Sequence, residues 1–349
     1  MSLNNLKGPS KDNGRQGVIL LTLFIFTMIC LFPPSIHALD MMLFKTTNQS
    51  PIVQVYGIPA SENAILLSPG QKQFSAILDY ASNYAEDANA REHIILDGET
   101  ARITLDGRYG LAKGLECGVE IPYVINSGGF LDGFIIDYHD FFGFPQGGRD
   151  QAPRNRVLYL YSRGGREKMR VDSSSNGPGD ISLIAGFQLY HDGKEYPKAL
   201  ALRTKLKIPT GDSGQLHGSG STDLATSLTA SSDHKLTTGH WTMFGDIGIM
   251  GMTDGKVIEE QQRNFVGFGS VGAGWNPLSW IAFKFQLDAN TSFYKDSNLK
   301  ELNASSVQLV LGGTLSLSEH TTLDIGVAED LIVDTAPDVS FHFDLRTQF

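Results

Sequence analysis

The chain closes with VSFHFDLRTQF, residues 339–349, and this stretch decides the fold. Val339, Phe341, Phe343, Leu345 and Phe349 share one parity, while Ser340, His342, Asp344, Arg346 and Gln348 share the other. Successive side chains of an extended strand point to opposite faces, so the alternation predicts a strand with one apolar and one polar face. An edge strand of a soluble sandwich has the same local pattern. The rest of the chain separates it from a membrane barrel, whose apolar face meets lipid.

Period-two segments read outward from this end give about twelve strands, near 71–84, 99–110, 115–127, 179–190, 196–208, 222–231, 240–252, 263–275, 279–294, 305–317, 321–329 and 338–349. If the first starts in the periplasm, the connections near 111–114, 191–195, 232–239, 276–278 and 318–320 are periplasmic and short. Those at the other end are mostly longer, and 128–178 is the longest. Short inner turns, long outer loops and an even strand number are the asymmetry of membrane barrels. The expectation is an all-β protein: a transmembrane antiparallel up-and-down β-barrel of about 12 strands, with one short amphipathic helix in a long extracellular loop. RVLYLY, Arg156 to Tyr161, fits either a further strand or one arm of a hairpin with 166–171 above the membrane.

The other end of the chain agrees. Lys7, Lys11 and Arg15 precede an apolar run from Val18 to Phe32, broken by Pro33, Pro34 and Ser35 ahead of Ala38. This reads as a secretory signal over 1–38, cleaved after Ala38. The alternative, a retained membrane helix, needs roughly 20 apolar residues, more than the run supplies. Three parts follow: the signal 1–38, a periplasmic or lumen-plugging segment 39–70, and the barrel 71–349. Lys7, Lys11, Arg15 and Asp12 together carry +2, so cleavage takes the net charge from −10 to −12, which argues against a nucleic-acid partner. It also leaves Cys117 as the single cysteine, without an intrachain disulfide partner, in the lipid-facing parity of its strand.

Strand parity also describes the lumen. From Trp280 to Asn290 the outward set is Ile281, Phe283, Phe285, Leu287 and Ala289, with Lys284, Gln286, Asp288 and Asn290 inward. The same phase turns Arg102, Arg108, Arg203, Lys205, Lys207, Lys284 and Arg346 inward, together with Asp79, Asp106, Glu116, Glu120, Asp246, Asp288, Asp324 and Asp344. The balance of sign fits ion-pair ladders across a narrow barrel, while three cations on one strand keep an anion-attracting patch open as an alternative. A three-residue turn over 111–113 sets Arg108 opposite Glu116 and Thr104 opposite Glu120. Lumen or constriction candidates are therefore Arg108, Glu116, Arg203, Lys205, Lys207, Lys284 and Asp288.

The long loop contains GGFLDGFIIDYHDFFGFPQGGRD, residues 128–150, with Leu131, Phe134, Ile135, Tyr138 and Phe142 at helical spacing and Gly143 and Pro145 as a stop. Two placements are open: on the barrel rim or in the lipid headgroups, or folded inward as a constriction. The second adds Asp137, His139, Asp140, Arg149 and Asp150 to the candidates, with Gly128, Gly129, Gly147 and Gly148 as hinges. Asp137, His139 and Asp140 have metal-ligand chemistry, but neighbouring positions diverge on a helix, so no metal and no cofactor is expected.

These residues resemble a known family, the uncharacterised Gram-negative outer-membrane barrels classed only as a domain of unknown function. The matching segments are NQSP at Asn48 to Pro51, YGIP at Tyr56 to Pro59, LDGET at Leu96 to Thr100, the loop from Gly128 to Arg149, GPGDISL at Gly177 to Leu183, and KIPTGD with GSGSTDL from Lys207 to Leu224. Tyr138 stands where relatives tend to carry a tryptophan. The resemblance implies a bacterial outer-membrane barrel of unassigned activity and supplies no catalytic residues. The terminal Phe349 likewise resembles the closing residue that the barrel assembly machinery reads. The GPGDISL to GSGSTDL region is similar to barrels encoded with aromatic-degradation pathways and held to pass hydrophobic compounds.

A passive narrow channel for small solutes follows as the expected function, with outer-membrane lipid and the assembly machinery as partners and the solute unspecified. The alternatives are a structural or partner-binding barrel and, third, a lipid hydrolase. For a hydrolase, His217 and Ser219 in HGSGS are the available pair, but the segment lacks the G-x-S-x-G elbow that holds a nucleophilic serine rigidly. The protein is therefore expected not to be an enzyme.

Overall fold

The computed structural model describes residues 41–143, 146–332 and 335–349, without the side chains of Tyr138, His139 and Phe142. The signal expected over 1–38 and the helix stop expected at Pro145 lie outside the described residues. The chain forms β1 (Lys72–Ala88), β2 (Glu92–Ala112), β3 (Leu115–Ser127), α1 (Asp132–Phe142), β4 (Leu158–Arg163), β5 (Arg166–Val171), β6 (Ser175–Pro178), β7 (Ile181–His191) and β8 (Lys198–Ile208). It continues with β9 (Asp223–Lys235), β10 (His240–Met252), β11 (Phe265–Leu278), β12 (Ile281–Asn290), α2 (Lys300–Asn303), β13 (Ser306–Ser316), β14 (Thr321–Asp330) and β15 (Val339–Gln348).

Twelve of these strands, β1 to β3 and β7 to β15, pair antiparallel into a closed ring. Closure removes every exposed sheet edge from the ring and satisfies its backbone without water, as a membrane demands. The seam joins β1 to β15, with Ala76 opposite Leu345 and Ala81 opposite Ser340. Phe349 completes it: its N–H donates to the Lys72 carbonyl at 2.8 Å, its carbonyl accepts from Lys72 N–H at 3.0 Å, and its ring meets Phe74 edge-on at 6.5 Å. Outward side chains such as Phe74, Leu105, Ile247, Phe283 and Leu345 are exposed as an apolar belt, while the inward neighbours of Phe74, Leu105, Phe283 and Leu345 are buried. No described helix is long and apolar enough to cross a membrane.

The turn after β2 departs from expectation. Lys113 and Gly114 form the turn and a bulge sits near Gly110 and Ala112, so Arg108 faces Gly118 and Thr104 faces Pro122. The parity survives, but the partner is displaced by two positions: Arg108 Nη1 reaches Glu116 only diagonally, at 4.0 Å.

The outer end holds more strand than alternation revealed. β1 runs on to Ala88 and β2 begins at Glu92, and from Ile94 to Thr100 every residue is buried. A segment covered on both faces has no reason to alternate. RVLYLY lies in the hairpin β4–β5, and β4 takes the place beside β2 that β3 vacates after Ser127. β6 and β7 form one interrupted strand opposite Pro122, whose missing N–H removes a ladder bond. Gly179 N–H bridges the break to the Pro122 carbonyl at 2.8 Å.

Candidate functional site: an occupied lumen

Residues 41–70 contain no helix or strand, and their contacts follow the inner wall to the outer end and back. At the short-turn end of the barrel Lys284 Nζ donates to the Met42 carbonyl at 2.8 Å and sits 4.1 Å from the Phe44 ring centre. The Gln286 amide accepts from Phe44 N–H at 3.0 Å and donates to its carbonyl at 3.2 Å. Thr46 reaches Asp79 at 2.8 Å, and Asn48 reaches Ser306 at 3.1 Å near the outer end. After a turn over 50–56 the chain descends. Gly57 N–H donates to Asp223, Ser61 contacts Asp246 and Ser270, Leu67 N–H donates to Glu116, and Gly70 N–H reaches the Gly110 carbonyl.

An irregular backbone at membrane depth survives only when protein satisfies its polar groups. Here the inward charges do so: Arg102 donates to the Gln54 carbonyl at 3.0 Å, Lys207 to Val55 at 3.3 Å, and Arg203 to Asn63 at 3.1 Å.

The segment also brings its own charges. Lys45 pairs with Asp106, and Glu62 pairs with Arg108 and, at 3.6 Å, with Arg203. Around them Arg203 pairs with Glu116, Lys205 with Glu120 at 2.6 Å, and Lys284 with Asp324 at 2.9 Å. Asp288 accepts from Gln286 at 2.9 Å rather than from a cation. Lys207 joins Asp180 at 2.6 Å and Asp223 at 3.2 Å. Lys45, Glu62, Asp180 and Asp223 were outside the candidates read from sequence. The first two were detectable as opposite charges in a segment with no strand pattern, the last two as acids in turn-rich motifs.

Above this polar layer the outer mouth is closed by an apolar cluster. Ile52, Val55 and Tyr56 join Ile94 and Leu96 of β2, Tyr159 and Tyr161 of β4, Met250, Phe268 and Phe293. Tyr56 stacks on Phe293 at 4.7 Å, and Tyr294 OH donates to the Ile52 carbonyl at 2.8 Å.

The inward placement of α1 is corrected. Even-numbered positions of β1 from Tyr80 to Tyr84 and odd-numbered positions of β2 from Asp97 to Ala101 share the outward parity, and the long loop packs on that face. Glu99 accepts from Phe130 N–H at 2.9 Å, from Leu131 N–H at 2.5 Å, and from Tyr80 OH. Arg149 is buried outside the lumen, with Ser82 at 2.9 Å, Asp132 at 2.6 Å, Asp338, and the Tyr84 ring centre at 5.5 Å. Asp137, Asp140 and Asp150 are exposed, and the His139 side chain lies outside the described residues. Nor are Gly128 and Gly129 simple hinges. A Cβ on Gly128 would lie 1.8 Å from the Asn155 carbonyl oxygen, and one on Gly129, at φ +65°, 1.8 Å from the Glu99 carboxyl carbon. They permit close approach, and the loop is pinned.

The HGSGS loop does not pair His217 with Ser219; the two side chains take different partners. His217 Nε2 lies 3.1 Å from Ser175 Oγ, and burial pushes its pKa down, against the opposing pull of Asp212. Ser219 is fully buried and held by Lys207 and Ser221. Its hydroxyl closes a structural network.

A family model covers residues 19–349. The chain belongs to the family described as Protein of unknown function (DUF3187). No curated protein matches it. Among solved structures it is similar to the COG4313 outer membrane channel from Pseudomonas putida F1, at 11% identity and TM-score 0.52, over 81% of this chain and 97% of that one. It is also similar to the toluene transporter TbuX of Ralstonia pickettii, at 7% identity and TM-score 0.36, over 81% and 90%. At 11% identity the likeness to the first is one of fold alone, that of an outer-membrane barrel.

Proposed function

We propose that this protein is a passive, narrow channel for small solutes in the bacterial outer membrane, and that residues 41–70 are its gate. In this reading the signal over 1–38 is cleaved on export, and the barrel assembly machinery reads Phe349. One observation carries the proposal: the lumen is polar and filled by an irregular segment, held mainly through hydrogen bonds and charge pairs that water can replace. An interior built only for stability is filled more simply by side chains of the wall, as in barrels of about eight strands. The fold shared with a protein described as an outer membrane channel supports the same reading. Once Lys45, Glu62, Asp180 and Asp223 join the wall residues, acids outnumber bases in the lumen, which predicts a mild preference for small cations over anions.

A second reading, a structural or partner-binding barrel, is favoured by the apolar cluster across the outer mouth, because apolar packing resists hydration. Planar-bilayer recording separates them. The mature chain is expected to open rarely, and a chain lacking residues 41–69, with folding checked by heat-modifiable gel migration, to conduct steadily. Silence of both folded forms would reject the channel.

A further inference from the structure

The long outer loop lies outside the barrel wall, and its surface is divided. Leu131, Ile135 and Ile136 are buried, whereas Phe130, Phe134 and Phe141 are 70%, 58% and 81% exposed. An aromatic surface of this kind is costly to leave in water. It is also continuous with the lipid-facing wall. Phe130 meets the outward Tyr80 ring at 5.6 Å; Ala101 lies beside Tyr80, and below them the same face of β1 and β2 carries Leu78, Ile103 and Leu105. Leu331 and Ile332 are likewise exposed in the next outer loop, whose Asp338 pairs with Arg149. The polar positions Asp137 and Asp140 are exposed on the same short helix.

From this arrangement we infer that α1 with its flanks is an interfacial lipid-binding platform. Phe130, Phe134 and Phe141 take acyl chains of the outer leaflet, while Asp140, turned away from them around the helix, stays in the headgroup water, and Asp137, three residues after Phe134 and four before Phe141 on their own face, marks the headgroup boundary. The occupant is lipid because Phe130 joins the exposed face to the barrel's lipid belt at Tyr80. Arg149 makes the platform part of the wall: it binds α1 at Asp132, β1 at Ser82 and Tyr84, and the approach to β15 at Asp338, so lipid engagement bears on the β1–β15 seam.

Site-directed spin labelling tests this independently of conduction. Single cysteines at Phe134 and at Asp140 are made in a Cys117→Ser background, nitroxide-labelled, and folded into phosphatidylethanolamine–phosphatidylglycerol vesicles. Heat-modifiable migration confirms folding. The expected result is an oxygen-to-nickel-chelate accessibility ratio several-fold higher at 134 than at 140. Equal ratios would overturn the proposal. Protection of 134 from both reagents with dipolar broadening would overturn it in favour of a second copy of the chain. If Phe134→Cys unfolds the barrel, the same comparison at Phe141 decides.

Discussion

Asp324 shows how the polar interior is held together. It accepts from Lys284 at 2.9 Å, Arg346 at 3.3 Å and Thr314 at 2.6 Å, and none of its side chain is exposed. Removing one partner of such a set leaves buried charge uncompensated, so Asp324→Asn should cost about 3 to 5 kcal/mol in denaturant unfolding from vesicles. On the opposite face of the last strand, Phe343→Arg should cost about 2 to 4 kcal/mol if Phe343 sits near the bilayer midplane, and less toward an interface. An unchanged midpoint for Phe343→Arg would mean that no lipid faces that position. His342 illustrates where parity was not enough. A polar, inward residue reads as tolerant of arginine, yet it is 1% exposed, bonded to Asp79 at 2.8 Å and edge-on to Phe44. Parity gives a residue its side of the wall, but cannot say that the space beyond is filled.

Among the elements, the strands most legible in sequence are those with one covered face, such as β8, β12 and β15. The segments misread were covered on both faces, as at Ile94 to Thr100, or displaced by a bulge, as after Gly110. The long loop was legible as a helix but not as a placement, because its decisive partners, Ser82, Tyr84 and Glu99, are polar groups on an outward face. Deletion of 130–148 should therefore leave conductance unchanged while lowering the unfolding midpoint; a clear rise in conductance would return the loop to the mouth. The loop over 209–222 carries a pH dependence. Burial holds the His217 pKa below its ordinary value near 6.5, so between the two values the unfolded state binds more protons than the folded state. Its stabilising contribution is therefore present above pH about 6.5 and lost as pH falls. Hydrogen exchange over 209–222 should speed up on acidification from pH about 7.5 to 5 beyond its intrinsic pH dependence, and His217→Gln should flatten that response. The same excess in His217→Gln would assign it to another group.

At the scale of the whole molecule, a closed twelve-stranded ring is occupied along its length by residues 41–70, its charges divided between wall and insert. The ring follows from alternation, loop asymmetry and the final strand. The insert was legible as a strandless segment that either plugs the lumen or stays in the periplasm, but its path was not, since its fit depends on pairings such as Lys45 with Asp106 and Glu62 with Arg108 that local pattern does not encode. Ser61 gives direct access to the central claim, because its hydroxyl contacts that of Ser270 on β11. Cysteines at both positions, Ser61→Cys and Ser270→Cys with Cys117→Ser, can tether the insert to the wall. Single-channel recording of this variant, oxidised and then reduced, should show silence followed by openings if solutes pass where residues 41–70 lie. Equal activity in both states, with cross-linking verified by mass, would contradict a gate formed by this segment.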